Sequence, residues 1–586
     1  MRSRHKLLIL LLMAAGVVCG TLPVLASTQP VHAPHGMVVS VHELASRTGV
    51  EIMQAGGNAV DAAVAAGFAL AVVHPPAGNI GGGGFMLIRM ADGKTHFLDY
   101  REKAPAAATR DMYLDAQGNV IEGASEYGYK AIGVPGSVAG MVYAEQKYGK
   151  LTLQKVMAPA IRLAREGYEL TWQDARDLHD KYLSQFAESR RIFQRDGNYY
   201  RPGEIFRQPD LARTLERIAA EPDDFYHGAL ARELASAMQK GGGLITAEDL
   251  AHYEVKEREP IRGTYRGYEI ISAPPPSSGG TVLVESLNIL EGYDLGKLGD
   301  RSAQSIHFTT EGFRRAFFDR AEFLGDPDFA KLPIPQLIDK KYAAAWRESI
   351  DDAKATPSKA LKRPAIFSEL EQYAAAHPQP LANHESQHTT HYSVVDAEGN
   401  AVSVTTTIND WFGSRVTADG LGFLMNDEMD DFSAKPGAPN ADGLIQSAAN
   451  AIGPGKRPLS SMTPTIVVHD GKIFLVLGSP GSSKIITTVA NVLMGVVDYG
   501  MNIQEAVDAP RFHNQWMPDV LNVEKWFSPD TVQRLQNMGY EVEFGLHDGE
   551  EVSPYWSDAE CIAIDPKTGE RLGASDYRNN GKAVGY

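Results

Sequence analysis

The feature that most constrains the fold is an abrupt change of sequence texture at the His388-Thr389 bond. Before it, residues 351–388 are rich in Ala, Lys, Pro, Gln and Asn and lack an apolar period, which predicts a loop or flexible tail. After it, two alternating runs between His391 and Thr407 flank a polar turn, which predicts a β-hairpin. A loose segment that ends on a rigid strand suits a processing site, because the cleaved bond needs access and the new N-terminus needs a fixed position.

Thr389 would become the first residue of a new chain if the bond before it were cut. A threonine hydroxyl is a poor nucleophile unless a base accepts its proton. A free α-amine has an ordinary pKa of ~7.7–8.0 and can be that base near neutral pH. For an isolated Thr-Thr pair, the start of an ordinary edge strand is the commoner explanation. The nucleophile hypothesis therefore depends on the rest of the chain.

Other patterns predict a mixture of helices and short strands. The predicted helices include an alanine-rich pair that meets at Gly56-Gly57, where Asn58 or Asp61 could cap the second member. Residues 151–352 are mostly helical in pattern, with one strand pair around 265–271. The remaining predictions are a helix over 44–54, a helix over 62–73 ended by 74–76, a strand over 85–88, a Pro/Gly-rich loop over 274–280, a hairpin over 463–478 and a helix over 484–497.

The N-terminus has the layout of a secretory signal. A basic start is followed by an apolar run over residues 7–18 and by a small-residue cleavage site that ends at Ala26. The run is too short to span a bilayer comfortably, so a retained membrane anchor is the less favoured alternative. These features predict a signal peptide over residues 1–26, a mature chain that begins at Ser27 without a membrane segment, and a periplasmic or secreted location.

Charge and cysteine content exclude several classes of function. The formal net charge is −17, and removal of the signal takes away only basic residues. Such a surface argues against nucleic acid or anionic lipid as a partner. Cys19 lies in the signal, which leaves Cys561 as the single cysteine of the mature chain. The mature chain therefore has no intramolecular disulfide and no cysteine zinc site.

Residues 384–388 match the H-E-x-x-H pattern of zinc proteases, in which two histidines four residues apart on a helix bind the metal. The context disfavours that interpretation. Pro378 and Pro380 lie just upstream, the flanks have no apolar stripe, a strand follows at once, and no third ligand is evident. We therefore predict no metal site here.

A set of motifs spread over the whole mature chain closely resembles the bacterial γ-glutamyltranspeptidases (glutathione hydrolases). Together they are far more specific than any one of them. They are Gly56–Ala63, Gly78–Phe85, Asp99–Glu102, Pro274–Gly280, Thr389–Val395, Thr407–Asn409, Asn426–Phe432, Lys456–Met462 and Gly478–Gly481.

The resemblance implies an N-terminal-nucleophile hydrolase of the α/β class, with a four-layer αββα sandwich. It also implies autocleavage at His388-Thr389 into a large subunit, residues 27–388, and a small catalytic subunit, residues 389–586, which form a heterodimer. The implied reaction cleaves γ-glutamyl amides such as glutathione and passes the γ-glutamyl group to water, amino acids or peptides. It uses small-molecule substrates and requires no metal or organic cofactor.

The resemblance also implies which residues recognise the α-amino acid end of a γ-glutamyl group. Arg101, Ser460 and Ser461 match the residues for the α-carboxylate, and a guanidinium fork suits a carboxylate. Asn409, Glu428 and Asp431 match those for the ammonium group, where acceptors and negative charge are wanted.

The catalytic residues implied are Thr389 as nucleophile, Thr407 as its hydrogen-bonding partner, and Gly481 and Ser482 as the oxyanion-hole positions. The chain departs from the family at Ser482, where glycine is usual, and a positive φ there would strain a serine. It departs again at Asp442, which stands where some bacterial members have the tyrosine of a lid loop.

Three further interpretations remain open at this point. An acylase for glutaryl-type β-lactam side chains would share the fold, but glutaryl lacks the α-amine that Asn409, Glu428 and Asp431 would bind. Processing of poly-γ-glutamate is similarly compatible with the motifs. A non-catalytic periplasmic binding protein would have no need of the junction at Thr389.

Overall fold

The computed structural model describes residues 28–376, 389–433, 448–544 and 556–586. Several predictions lie outside these residues and are not tested by the structure. They are the signal peptide over 1–26, the H-E-x-x-H segment with the cleavage-site residue His388, and the lid loop with Asp442.

The described residues form two seven-stranded sheets and two small ones. The strands in chain order are β1 (Val31–Ala33), β2 (Met37–Ser40), β3 (Gly83–Arg89), β4 (Thr95–Asp99), β5 (Tyr168–Glu169), β6 (Ile205–Phe206), β7 (Lys256–Arg258), β8 (Ile261–Tyr265), β9 (Tyr268–Ser272), β10 (Thr389–Val395), β11 (Ala401–Thr407), β12 (Thr465–His469), β13 (Lys472–Leu477), β14 (Phe512–His513), β15 (Leu521–Val523), β16 (Val542–Glu543), β17 (Glu560–Ile564), β18 (Arg571–Ser575) and β19 (Lys582–Gly585).

The two large sheets are antiparallel and draw on both ends of the chain. One has the order β19-β2-β10-β11-β3-β4-β7, so the strand that begins at Thr389 is near its centre. The other has the order β1-β18-β17-β13-β12-β9-β8. Because β10 pairs with β2 on one side and β11 pairs with β3 on the other, the segments before and after Thr389 share one sheet.

Helices cover the outer faces of the two large sheets. They are α1 (Glu43–Gln54), α2 (Ala59–Val73), α3 (Ser137–Tyr148), α4 (Leu153–Glu166), α5 (Trp172–Asp177), α6 (Ala187–Gln194), α7 (Pro209–Ala220), α8 (Ala229–Gly241), α9 (Ala247–Ala251), α10 (Gly279–Leu290), α11 (Leu295–Leu298), α12 (Ala303–Phe323), α13 (Ile334–Leu337), α14 (Lys340–Glu348), α15 (Ser368–Ala376), α16 (Lys484–Val497), α17 (Ile503–Asp508) and α18 (Pro529–Asn537). Within the described residues, no helix combines the length and the apolar character needed to cross a membrane.

Alternation along the strands explains the layers. Successive residues of a strand point to opposite faces of its sheet. In β2, Val38 packs with α1 and α2, whereas Val39 packs against the other sheet. In β12, Ile466 faces the first sheet and Val467 packs with α10 and α16. Three apolar layers therefore separate four layers of secondary structure, which confirms the predicted αββα sandwich.

Local sequence signals account for most of the predicted elements. Asn58 caps α2, because its side-chain oxygen accepts from the backbone N–H groups of Val60 and Asp61. The turn between β12 and β13 uses Asp470 and Gly471, both with positive φ. The helix predicted over 484–497 is α16. Each of these signals depends only on near neighbours in the sequence.

One part of the prediction for residues 351–388 is wrong. The structure places α15 within this segment, where the sequence predicts a loop or tail. The helix has few apolar positions, so its periodicity is weak. It is held through Leu370, which is fully buried against the helices of the second sheet. The helix is therefore stabilised mainly by tertiary packing, which produces little periodic signal in the local sequence.

Candidate active site

Thr389 is the first residue of β10, and the sheet places it directly beside the end of β11. The antiparallel register pairs Thr389 with Thr407. The Thr389 hydroxyl donates to the Thr407 hydroxyl oxygen at 3.2 Å, and that oxygen also accepts from the backbone N–H of Asn409 at 2.8 Å. Thr407 is buried and Thr389 is half-buried. The first hydroxyl thus faces a partner whose own position is fixed by the backbone.

A small open cleft lies beside this pair. Every predicted site residue lines it except Gly481 and His388, and His388 lies outside the described residues. The lining residues are Arg101, Thr389, Thr407, Asn409, Glu428, Asp431, Ser460, Ser461, Met462, Ser482 and Ile485. Residues that are up to 384 positions apart in the sequence, from Arg101 to Ile485, therefore meet in one place.

Arg101 forms the charged floor of the cleft. It follows β4, where Asp99 accepts from its backbone N–H at 3.0 Å. Its buried guanidinium makes ion pairs with Glu428 and Asp431 and lies 3.7 Å from Glu102. The residues predicted for a carboxylate and for an ammonium group therefore contact each other directly, with one cation among three carboxyl groups.

The pKa values in this cluster follow from burial and from the excess of carboxyl groups. Burial raises the pKa of Glu428 well above its usual range; Arg101 opposes this shift and Glu102 adds to it. Burial is also the main reason that the pKa of Glu102 rises to about 7. Burial alone would lower the pKa of Arg101, but the carboxylates of Glu428, Asp431 and Glu102 raise it. Three carboxyl groups thus share one guanidinium, and the cluster can take up further positive charge, either as a proton or as a bound cation.

The hydroxyl oxygens of Ser460 and Ser461 each accept a hydrogen bond from a neighbouring group. The Ser460 hydroxyl oxygen accepts from the backbone N–H of Met462 at 3.1 Å. The Ser461 hydroxyl oxygen accepts from the buried guanidinium of Arg320 at 3.0 Å. Because each oxygen already accepts a hydrogen bond, each O–H group is suited to donate to an anion.

Arg320 and Glu102 belong to this site although the sequence did not identify them as site residues. Glu102 adjoins Arg101 in one of the quoted motifs, so a signal was present. Arg320 lies on α12 among other polar helix residues, and nothing in the local pattern distinguishes it. Its buried contacts with Ser278 at 2.8 Å and with Ser461 identify it only in three dimensions.

Gly481 and Ser482 form the loop that leads into α16. Their φ angles are 117° and 57°, so both are left-handed. A Cβ at Gly481 would collide with the Ser557 side chain, which explains the glycine. The loop supplies backbone N–H groups near a helix N-terminus, where negative charge is favoured. Ser482 therefore has the positive φ that strains a residue with a Cβ.

The family model described as gamma-glutamyltranspeptidase matches residues 45–586. The chain belongs to the γ-glutamyltranspeptidase family. Among curated relatives, it is 50% identical to the glutathione hydrolase proenzyme of Pseudomonas sp. (strain A14), with 98% of each chain covered. It is also 50% identical to the glutathione hydrolase proenzyme of Escherichia coli (strain K12), over 94% of this chain and 91% of that one.

Solved structures give the same fold. A cephalosporin acylase from Bacillus halodurans superimposes with a TM-score of 0.79 at 28% identity, over 97% of this chain and 98% of that chain. A γ-glutamyltranspeptidase chain from Helicobacter pylori is 45% identical with a TM-score of 0.55, and it covers 58% of this chain and 99% of its own length. The γ-glutamyltranspeptidase family therefore shares its architecture with acylases. The fold alone does not distinguish their substrates, so the residues of the pocket must.

We expect Ser482→Gly to stabilise this γ-glutamyltranspeptidase by up to ~1 kcal/mol, because glycine removes the strain of a left-handed serine but adds freedom to the unfolded chain. The backbone N–H remains, so kcat should change by less than ~3-fold. Urea unfolding and donor kinetics measure the two effects. Ser483→Gly is the control, because Ser483 has a φ of −56° and glycine there should destabilise. Equal destabilisation by both changes would contradict the strain at Ser482.

Proposed function

We propose that this chain is an autoprocessed γ-glutamyltransferase and glutathione hydrolase with Thr389 as its nucleophile. The observation that carries the proposal is the cleft that joins the Thr389–Thr407 pair to the cluster of Arg101, Glu428 and Asp431. The curated relatives at 50% identity are named glutathione hydrolase proenzymes, which supports both the activity and the processing.

The charged cluster favours a zwitterion over an ion of either sign. The α-amino acid end of a γ-glutamyl group brings an ammonium for Glu428 and Asp431 and a carboxylate for Arg101. When the ligand enters and separates Arg101 from these two acidic side chains, each of the three side chains gains a new partner of opposite charge. A glutaryl group brings only the carboxylate and would leave the acidic side chains without a cation. Because an uncompensated buried charge costs about 3–5 kcal/mol, the zwitterion is the preferred ligand.

The roles of the pocket residues follow from this orientation. Arg101, Ser460 and Ser461 bind the α-carboxylate, while Asn409, Glu428 and Asp431 bind the ammonium group. The scissile γ-amide then lies toward Thr389.

The reaction proceeds in two steps. After cleavage of the bond before it, the α-amine of Thr389 accepts the hydroxyl proton while the oxygen attacks the amide carbon. The oxyanion is stabilised by the backbone N–H groups of Gly481 and Ser482, and Thr407 holds the nucleophile in place. Collapse transfers this proton from the α-ammonium to the departing nitrogen, releases the amine and leaves a γ-glutamyl ester. Water or an acceptor amine then attacks the ester and gives a proton to the α-amine of Thr389. That proton passes to the Thr389 oxygen as the ester bond breaks, which restores the hydroxyl.

Processing would divide the mature chain into a large subunit of residues 27–388 and a small subunit of residues 389–586. The two chains would remain together as a heterodimer, because β10 and β11 of the small subunit pair with β2 and β3 of the large subunit. The H. pylori γ-glutamyltranspeptidase chain that aligns with only 58% of this chain is consistent with such a division. The signal over residues 1–26 supports a periplasmic or secreted location.

Thr407 provides a test of the nucleophile pair. We expect Thr407→Val to lower kcat by about 10–100-fold with little change in KM, since the Thr389 hydroxyl loses its partner. Thr407→Ser keeps that oxygen and should retain most of the activity. Steady-state kinetics with a γ-glutamyl anilide measure both variants. The role of Thr407 would be wrong if the valine and serine variants had the same kcat.

Three matched anilide substrates test the proposed function. The γ-glutamyl donor carries both charges, the glutaryl donor lacks the ammonium, and the 4-aminobutyryl donor lacks the carboxylate. We expect kcat/KM to be highest for the γ-glutamyl donor by ~10²-fold or more, and added glycylglycine to accelerate anilide release. Release of cysteinylglycine from glutathione measures the hydrolase activity directly.

A glutaryl acylase is the second candidate, since a relative named Acylase ACY 1 proenzyme from Pseudomonas sp. (strain SE83) is 39% identical over 88% of this chain. A higher kcat/KM for the glutaryl donor would establish that function instead. No release from any of the three donors would overturn the proposed enzyme class.

A further inference from the structure

Asn79 lies beneath the end of β11, outside the cleft, and all of its side-chain polar atoms are engaged. It is 5% exposed. Its amide nitrogen donates to the backbone oxygens of Ala77 and Thr407, each at 3.0 Å, and approaches the Thr406 hydroxyl at 3.3 Å. Its amide oxygen accepts from the Gly82 N–H at 3.0 Å and from the Ser137 hydroxyl at 2.6 Å. One side chain therefore ties α3 and the glycine-rich segment to the last residue of β11.

The backbone around Thr407 has little other freedom. Gly82 packs so closely that a Cβ there would collide with the Thr407 carbonyl oxygen, and a Cβ at Gly84 would lie 2.6 Å from the Thr405 carbonyl oxygen. These contacts show that the two glycines permit close backbone packing. They set how near the two segments come, whereas the Asn79 amide fixes the orientation of the Thr407 peptide by a directed hydrogen bond.

The Thr407 side chain depends on that orientation. Its hydroxyl lies 3.2 Å from the Thr389 hydroxyl and accepts from the Asn409 N–H. A rotation of the Thr407 peptide would move both contacts at once. A displacement of ~1 Å in a reacting geometry can lower a rate by ~10²-fold.

We infer that Asn79 is a positioning residue for the Thr389–Thr407 pair, acting on both self-cleavage and acyl transfer. The inference rests on the proposed function and adds a residue that lies outside the pocket. It assigns Asn79 an effect on kcat and on the rate of processing, with little effect on donor binding, because it touches none of the residues that would hold the charged ends of the donor.

Asn79→Asp is the sharpest variant because it has the same shape. It keeps an oxygen for Gly82 and Ser137 but turns a second oxygen, instead of an N–H group, toward the carbonyl oxygens of Ala77 and Thr407. We expect kcat to fall by ~10–100-fold, KM to stay within ~3-fold, and self-cleavage to slow in parallel.

Asn58→Asp is the matched control. Asn58 is also a buried asparagine, and its amide donates to the Tyr148 carbonyl oxygen at 2.7 Å while its oxygen caps α2. The same substitution there removes the same kind of bond at the opposite end of β10 from Thr389, where the N–H of the neighbouring Ala59 donates to Asp396 at 2.9 Å. We expect it to lower the melting temperature without changing kcat or the rate of processing.

A pH profile adds a signature that a general loss of packing would not produce. The groups that contact Asn79 are backbone amides and the hydroxyls of Ser137 and Thr406, and none is charged at neutral pH. A protonated carboxyl introduced by Asn79→Asp can donate to the Thr407 carbonyl oxygen again. The kcat of this variant relative to the wild type should therefore rise as the pH falls from 8 to 5.

Ser137→Ala provides a milder second variant in case Asn79→Asp does not fold. It removes the hydroxyl that orients the Asn79 amide, and we expect kcat to fall by ~3–10-fold with KM unchanged. The inference is overturned if Asn79→Asp and Asn58→Asp have the same kcat, or if the folded Ser137→Ala variant matches the wild type. A wild-type chain that neither cleaves itself nor releases the anilide would instead overturn the proposed function.

Discussion

Replacing Thr389 by alanine should leave the chain in one piece and lower the rate of γ-glutamyl transfer by at least ~10⁴-fold. Removal of a nucleophile in enzymes with an analogous catalytic unit has effects of this size, because the remaining groups of the unit have no acyl acceptor. The same hydroxyl is proposed to cut the His388-Thr389 bond, so processing and turnover should be lost together. Intact mass measurement and release of a γ-glutamyl anilide follow the two losses.

Two further variants, at Thr389 and at the adjacent Thr390, distinguish loss of the nucleophilic hydroxyl from a loss of folding. Thr389→Ser keeps a hydroxyl at the start of β10 and should still cleave itself and retain part of the activity. Thr390→Val is nearly isosteric and changes the opposite face of the strand, where Thr390 is fully buried. We expect it to process and turn over like the wild type. A wild-type chain that remains whole, or an alanine variant that is still cut, would contradict self-cleavage by Thr389.

The fold was predictable where it depends on signals that lie close together in the sequence. The alternation between His391 and Thr407 predicts the hairpin, and Asn58 or Asp61 predicts the start of α2, because period and capping are local properties. The helix α15 escaped prediction because Leu370 is its principal buried anchor. The four-layer arrangement came from the family resemblance, since no single strand indicates which sheet it will join.

The site was predictable as a set of residues but not as a set of contacts. The motifs identify Arg101, Glu428 and Asp431, and the cleft brings them together. Their mutual ion pairs could not be read from the sequence, because 330 positions separate Arg101 from Asp431. Arg320 lies outside the quoted motifs, and Asn79 lies in the motif Gly78–Phe85, to which the sequence assigns no catalytic role. Their significance lies in which hydroxyl or carbonyl group each one holds, and only the folded chain determines this.

Changing Arg101 to lysine should raise the KM for γ-glutamyl donors by ~10²-fold with a smaller change in kcat. Lysine keeps the positive charge, but it loses the planar fork that contacts Glu428 and Asp431 together and that would bind a carboxylate through two hydrogen bonds. Charge-assisted hydrogen bonds contribute about 1.5–3 kcal/mol each, which is the size of the expected loss in binding.

The 4-aminobutyryl anilide distinguishes a specific loss of carboxylate binding from a general disruption of the pocket. This donor has the ammonium group but no carboxylate, so its KM should differ by less than ~3-fold between wild type and Arg101→Lys. Arg314→Lys is the matched protein control, because Arg314 is similarly buried but pairs with Glu311 and Asp519 rather than with pocket residues. It should lower stability and leave both KM values unchanged. A KM that rises equally for both donors would mean that Arg101 maintains the pocket as a whole. An unchanged KM for the γ-glutamyl donor would mean that other groups hold its carboxylate.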